Sequence, residues 1–92
     1  MIVGLCRAEI YFPDSHSLKD KRHVLHSIKD RLKKLNVSVA EVGELDLWQR
    51  TTLAVACVAN EGGHVEQVLT QALNLIQAVP TIEVLDSRIE LL

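Results

Sequence analysis

The stretch that decides the fold is residues 2–20, IVGLCRAEIYFPDSHSLKD. In residues 2–12 the even-numbered positions are apolar and the odd-numbered positions are half apolar and half charged. This period of two predicts a strand with one face in the core. Pro13-Asp14 is a turn signal, and Ser17 with Asp20 three residues later has the pattern of a helix N-cap. The stretch therefore predicts a strand that is followed, after one turn, by a helix.

The next part of the chain predicts one helix and two strands. Apolar residues at positions 18, 25, 28, 32 and 35 form one stripe along the first helix. Residues 36–42 predict a short second strand. Residues 51–59 predict a third strand, and because this strand has no charged residue, we expect it in the centre of the sheet.

The last third of the chain predicts a second helix and a final strand. The helix is expected to begin near Asn60 or Gly63 and to end before Pro80. Residues 81–91 predict a strand in which the alternation of apolar and polar residues slips around Asp86-Ser87. A slip of this kind is typical of a β-bulge.

The predicted order of elements is β-α-β-β-α-β, with short connections. This order is typical of the split βαβ, ferredoxin-like fold of the α+β class. In that fold an antiparallel four-stranded sheet, in the spatial order 4-1-3-2, carries two helices on one face. Ninety-two residues, of which 48% are hydrophobic, allow one small domain with a single core. We therefore predict a single ferredoxin-like domain over residues 1–92.

The apolar segments also predict the cellular compartment of the protein and the state of its two cysteines. No run of 18 apolar residues is present, so no membrane span is predicted, and no secretory signal is visible. The protein is therefore expected to be cytoplasmic. Cys6 and Cys57 lie inside apolar strand patterns, which predicts two buried thiols rather than a disulfide scaffold.

The net charge of −2 conceals an uneven distribution. Between Leu18 and Leu35 there are seven basic and two acidic residues, a balance of +5. The rest of the chain has three basic and ten acidic residues, a balance of −7. Charge separation of this size predicts a basic surface that suits an anionic partner.

The predicted topology brings the end of the first strand, the start of the first helix and the loop between the second and third strands to one pole. A helix start offers free N–H groups to a phosphate or carboxylate. The candidate anion- or RNA-binding residues, at this pole and along the first helix, are Ser15, His16, Ser17, Lys19, Lys21, Arg22, Lys33, Trp48 and Arg50. The alternative is a solvated first turn in which Lys21 reaches past the apolar stripe to pair with Asp46 or Glu44. Trp48 either stacks on a base or packs against the nearby helix end, and packing is the favoured interpretation.

Motifs for metal binding, catalysis or nucleotide binding are weak or absent in the sequence. His23, His26 and Asp30 have a spacing at which they could face one metal ion. Spacing alone is a weak signal for a metal site, so solvated side chains are the favoured interpretation. No Ser–His–Asp or Cys–His arrangement and no phosphate-binding glycine loop is present. The CxxC of a copper chaperone, the paired strand aromatics of an RNA-recognition motif and the Arg-bearing glycine-rich loop of an acylphosphatase are missing as well. We therefore predict no enzymatic activity, no cofactor and no metal.

The sheet face opposite the helices is expected to be partly apolar. Val3, Leu5 and one face of the third strand (Leu53 and Val55, or their neighbours) would leave an apolar patch there. Such patches usually mark an interface, so we predict a homodimer, formed across this face or by pairing an edge strand.

Three segments resemble a known family. SHSLKDKR at residues 15–22, NVSVAEV at 36–42 and DLWQR at 46–50 are similar to the YlxP-like family of small bacterial proteins, a domain of unknown function. The resemblance runs nearly end to end and implies a ferredoxin-like fold. It also implies a genomic setting, because family members are often encoded beside translation-initiation and ribosome-maturation genes. Gly62-Gly63 departs from the polar or basic residues typical of the family at the start of the second helix.

These observations lead to two main functional hypotheses, and a third, an enzyme of unknown type, would require a deep pocket around His16, Asp46 and Arg50. The first is a non-enzymatic cytoplasmic accessory protein that contacts the phosphates of RNA or a ribosomal particle through its basic first helix. The second is a dimeric regulatory module that binds an anionic metabolite at the same pole. The resemblance implies no established activity and no catalytic residues.

Overall fold

The computed structural model describes residues 1–92 and contains four strands and two helices. Their order is β-α-β-β-α-β, as predicted. The elements are β1 (Ile2–Tyr11), α1 (Leu18–Leu32), β2 (Ser38–Gly43), β3 (Arg50–Ala59), α2 (Gly62–Gln77) and β4 (Glu83–Leu91).

The four strands form one antiparallel sheet in the order β2-β3-β1-β4. Read from the β4 edge, this arrangement is the order 4-1-3-2. The two central strands are β1 and β3, and their register places Cys6 opposite Val55 and Ala8 opposite Leu53. The uncharged β3 is therefore central, as expected. The edges are β2 and β4.

The core lies between the sheet and the two helices. It is one cluster of 16 buried hydrophobic residues, to which both helices contribute. Leu25, Ile28 and Leu32 come from α1, and the even-numbered residues of β1 point into the same cluster. The opposite face of the sheet carries no helix. We call it the open face.

The bounds of several elements and the position of the bulge differ from the sequence prediction. The first helix ends at Leu32, and Leu35 lies in the turn after it, where its side chain still packs on the core. β2 begins at Ser38 rather than at residue 36. The bulge in β4 lies at Leu85, because Glu9 pairs with Asp86 whereas the next residue, Ile10, pairs with Val84.

The structure decides which of the two predicted sets of β3 residues lies on the open face. Leu53 and Val55 are completely buried in the core, so β3 presents their neighbours to the open face. These neighbours are Ala54, Ala56 and the exposed Val58. Because two of the three are alanines, the patch is flatter than a row of leucine and valine would make it.

The two cysteines are buried and free, as predicted. Cys6 lies on β1 and Cys57 on β3, both on the core side of the sheet. Burial raises the pKa of the Cys6 thiol above its usual value, which disfavours the reactive thiolate. Neither helix is long and apolar enough to cross a membrane.

Candidate functional site

The first turn of α1 is capped by its own side chains. The Ser17 hydroxyl accepts a hydrogen bond from the Asp20 N–H at 3.0 Å, and the Asp20 carboxylate accepts one from the His16 N–H at 3.0 Å. The buried Ser15 donates its hydroxyl hydrogen to the Ser17 carbonyl at 3.1 Å. The arrangement resembles a capping box, except that the Asp20 carboxylate accepts from the residue before the N-cap rather than from the N-cap Ser17. Ser15 and Ser17 therefore cap and brace the turn, and the Asp20 carboxylate puts negative charge where an anion was expected.

Lys21 is the residue whose position differs most from the prediction. Its side chain is only 1% exposed. Its ammonium donates to the carbonyl oxygens of Glu44 at 2.9 Å, Arg50 at 3.2 Å and Leu45 at 3.4 Å, and it lies 3.0 Å from the Glu41 carboxylate. Assigning Lys21 to phosphate contact was therefore wrong, because its charge is enclosed and all its donors are occupied.

The alternative interpretation of Lys21 is confirmed in that the side chain forms an ion pair at this pole, but the predicted partner is wrong. The side chain does reach past the apolar stripe. Its ionic partner is Glu41, rather than the side chain of Asp46 or Glu44, and Glu44 contributes only its backbone carbonyl. Since three carbonyls between residues 44 and 50 converge on one ammonium, Lys21 fixes the loop between β2 and β3.

Further hydrogen bonds join this loop to the end of β1. The Gln49 side-chain amide donates to the carbonyls of Ser15 at 3.1 Å and Pro13 at 3.3 Å. The Phe12 N–H donates to the Gln49 carbonyl at 2.7 Å. At the loop's other end, the Thr52 hydroxyl donates to the Glu44 carboxylate at 3.1 Å. The three predicted segments therefore meet at one pole of the molecule.

The pole contains an aromatic groove, which we define by Tyr11, Trp48 and Arg50. Its volume is about 380 Å³, and Asp46, Leu47 and Gln49 complete its lining. Trp48 is 55% exposed and does not belong to the core. The packing role favoured for Trp48 is therefore not what this structure contains.

Further basic residues lie on the outward side of α1 and at its C-cap residue, Lys33. We call Lys19, Arg22, Lys29 and Lys33 the basic stripe. Successive members are three, seven and four residues apart, so they lie along one side of the helix. The Lys33 ammonium lies 2.9 Å from the Asp30 carboxylate, and this hydrogen bond lowers the pKa of Asp30. His26 lies 3.5 Å from the same carboxylate. No carboxylate lies within 4.0 Å of the other three basic groups.

The candidate residues thus fall on two surfaces. Trp48 and Arg50 line the aromatic groove, whereas Lys19 and Arg22 line a separate shallow depression on α1 with His23 and His26. His16 is exposed between the end of β1 and the start of α1.

Sequence reasoning missed a charged cluster on the open face. Arg7, Glu9, Thr52, Asp86 and Arg88 line a depression of about 150 Å³ there. The alternation in β1 does place Arg7 and Glu9 on this face. The β4 residues could not be aligned with them, because the bulge at Leu85 shifts the register and the sequence does not fix its position.

Comparison with known proteins supports the family resemblance carried by the three segments at residues 15–22, 36–42 and 46–50. A family model described as "Protein of unknown function (DUF503)" matches residues 3–89. "Uncharacterized protein YlxP" from Bacillus subtilis (strain 168) is 39% identical over 83 residues, which cover 89% of this chain and 90% of that protein. The resemblance to YlxP-like proteins is confirmed, and the chain belongs to the DUF503 family of proteins of unknown function.

Proposed function

We propose that this protein is a non-enzymatic accessory factor that contacts the phosphates of RNA, free or in a ribosomal particle, through the basic stripe of α1. The observation that carries the proposal is the direction in which the basic residues of this helix point. Lys21 alone turns inward, while Lys19, Arg22 and Lys33 stay exposed and Lys29 stays partly exposed.

The geometry of the stripe supports contact with a polyanion rather than with a single small anion. At 1.5 Å per residue, the 14 positions from Lys19 to Lys33 extend about 21 Å along the helix axis. Four cations spread over this length match a series of backbone phosphates. Binding of this type is independent of sequence and weakens as salt concentration rises.

The test is co-sedimentation with purified ribosomal subunits across a salt series. We expect the protein to sediment with a subunit at low salt and to be released as salt increases. The variant Lys19→Ala/Arg22→Ala should bind about tenfold or more weakly, because each lost charge-assisted contact reduces the affinity. Lys21 is kept intact, since its loss would disturb the fold.

The matched control is Gln67→Glu/Gln71→Glu, which changes the net charge by the same −2 at exposed positions of α2. We expect this control to bind nearly as well as the parent protein. If the parent does not sediment with either subunit at low salt, or if both variants lose binding equally, the basic stripe is not a specific phosphate-contacting surface.

The aromatic groove favours a second candidate function, the binding of a planar anionic metabolite such as a nucleotide. The exposed Trp48 ring and Tyr11 provide apolar surface, and Arg50 provides a cation beside them. A ring that stacks on Trp48 while its phosphate meets Arg50 would use both features.

A thermal-shift screen with nucleotides and phosphorylated metabolites tests this second candidate. Stabilisation by one compound, lost in Trp48→Ala and Arg50→Gln but kept in Lys19→Ala, would support binding in the groove. A screen without any stabilising compound, or stabilisation that survives Trp48→Ala, would contradict it.

A further inference from the structure

The open face carries two adjacent rows of like charge. Arg7 on β1 lies directly opposite Arg88 on β4, and Glu9 lies directly opposite Asp86. Like charges directly opposite each other destabilise an isolated sheet. The ion pairs of the chain involve Lys21, His26 and Lys33 and none of these four residues. The four charges therefore have no ionic partner within the chain.

The surface beside the two rows is flat. On β3 the neighbouring positions are Thr52, Ala54 and Ala56, whose side chains are small. On β1, Leu5 lies two residues before Arg7, and Tyr11 lies two residues after Glu9. A second surface could therefore approach closely over β3, whereas Leu5 and Tyr11 project from β1 at the two ends of the rows.

We infer that the open face binds a second copy of this chain through these two rows. A two-fold axis that lies in the plane of the interface, runs across the strands and passes between the rows would place each row over the opposite row of the partner. Arg7 then meets the partner's Glu9, and Arg88 meets the partner's Asp86. Because a two-fold interface repeats every contact, the arrangement contains four intermolecular ion pairs.

The same rotation also pairs the β1 residues that flank the rows. The rotation places each β1 residue opposite a β1 residue of the partner that lies equally far on the other side of the midpoint between Arg7 and Glu9. Leu5 is therefore placed against the partner's Tyr11, once on each side of the charged rows. Face-to-face sheets pack about 10 Å apart, a distance that these side chains can span. On the edge strand β4 the flanking residues are the exposed Glu90 and Glu83, and they approach each other at the solvated rim, where salt screens the repulsion.

The size of the open face suits a dimer. Four strands about 4.8 Å apart give a width near 19 Å, and the ten residues of β1 give a length of about 33 Å. The flat area is about 600 Å² per protomer, and side-chain relief brings the accessible area toward the roughly 800 Å² per partner of a standard interface. Nucleic acid fits this face less well, because its phosphates would meet Glu9 and Asp86.

Charge reversal tests the inference. The first variant, Arg7→Glu/Arg88→Glu, makes all four positions acidic, and the second, Glu9→Arg/Asp86→Arg, makes all four basic. In sedimentation equilibrium the parent protein should have twice the 10.3 kDa mass of the chain. Each variant alone should be monomeric, with dimerisation weakened about 100-fold or more by like-charge contacts. An equimolar mixture of the two variants should recover the dimer mass.

Circular dichroism establishes that each variant is folded before its mass is measured. If a reversal variant does not fold, Arg7→Gln/Arg88→Gln and Glu9→Gln/Asp86→Gln replace the pair, and each should weaken the dimer without repulsion. A monomeric parent protein would overturn the inference. So would variants that dimerise as well as the parent, or a mixture of reversal variants that stays monomeric.

Discussion

Replacing Lys21 by Met should lower the free energy of unfolding by about 3–5 kcal/mol, the effect of removing one partner from a buried ion pair. Methionine has about the length and volume of the lysine side chain, so the change removes the charge without opening a large cavity. The Glu41 carboxylate would lose its cation. The carbonyls of Glu44, Leu45 and Arg50 would lose a shared donor.

Urea unfolding measures this effect, with Lys19→Met as the matched control. Lys19 lies on the exposed side of the same helix, where a substitution changes stability by no more than about 0.5 kcal/mol. Trp48 is the only tryptophan and lies in the loop that Lys21 holds, so its fluorescence should also change in the native state of Lys21→Met. The assigned role for Lys21 is wrong if Lys21→Met is as stable as Lys19→Met.

A double-mutant cycle separates the ion pair from the carbonyl contacts. Glu41→Gln should cost less in the Lys21→Met background than in the parent protein, because its ionic partner is already absent. The part of the Lys21→Met effect that persists with Gln at position 41 belongs to the three carbonyls. Equal costs in both backgrounds would show that Lys21 and Glu41 do not interact.

Replacing Gly4 by Ala should lower the free energy of unfolding by about 1–3 kcal/mol through overpacking. Gly4 is buried on β1 beneath α2. A Cβ at this position would collide with the Val65 side chain and lie 2.8 Å from Leu69 Cδ1. Because Val65 and Leu69 are both completely buried, α2 would have to shift on the sheet to make room.

Gly63→Ala is the matched control for this prediction. A Cβ at Gly63 meets no atom within 4 Å, and alanine in the first turn of α2 reduces the freedom of the unfolded chain. We expect Gly63→Ala to stabilise the protein by about 0.4–1 kcal/mol. Thermal unfolding of the two variants should therefore shift in opposite directions. A Gly4→Ala variant as stable as the parent would mean that α2 does not approach β1 this closely.

The elements of the fold could be predicted because local patterns determine them. The period of two in β1 and the Ser17 cap lie within a few neighbouring residues, and both occur where expected. Boundaries were less predictable. The apolar Leu35 suggested a longer α1, yet the helix ends at Leu32 and Leu35 packs from the following turn.

The partners of Lys21 could not be predicted because they are tertiary. A signal was present, since Lys21 lies four residues before Leu25 and seven before Ile28, within the apolar stripe of α1. That spacing indicates a buried position. It does not indicate which carbonyls a distant loop will present, and here three of them reach the ammonium together.

We propose that the exposed residues of the basic stripe, and not Lys21, contact RNA phosphates. The most direct measurement is the slope of log binding constant against log salt for a ribosomal RNA fragment, in the parent protein and in Lys19→Ala/Arg22→Ala/Lys33→Ala. Each phosphate contact contributes about 0.7 to 0.9 to the slope. We expect the slope to be smaller by about two to three in the triple variant, because three phosphate contacts are lost. An unchanged slope, or no binding by the parent protein at low salt, would contradict it.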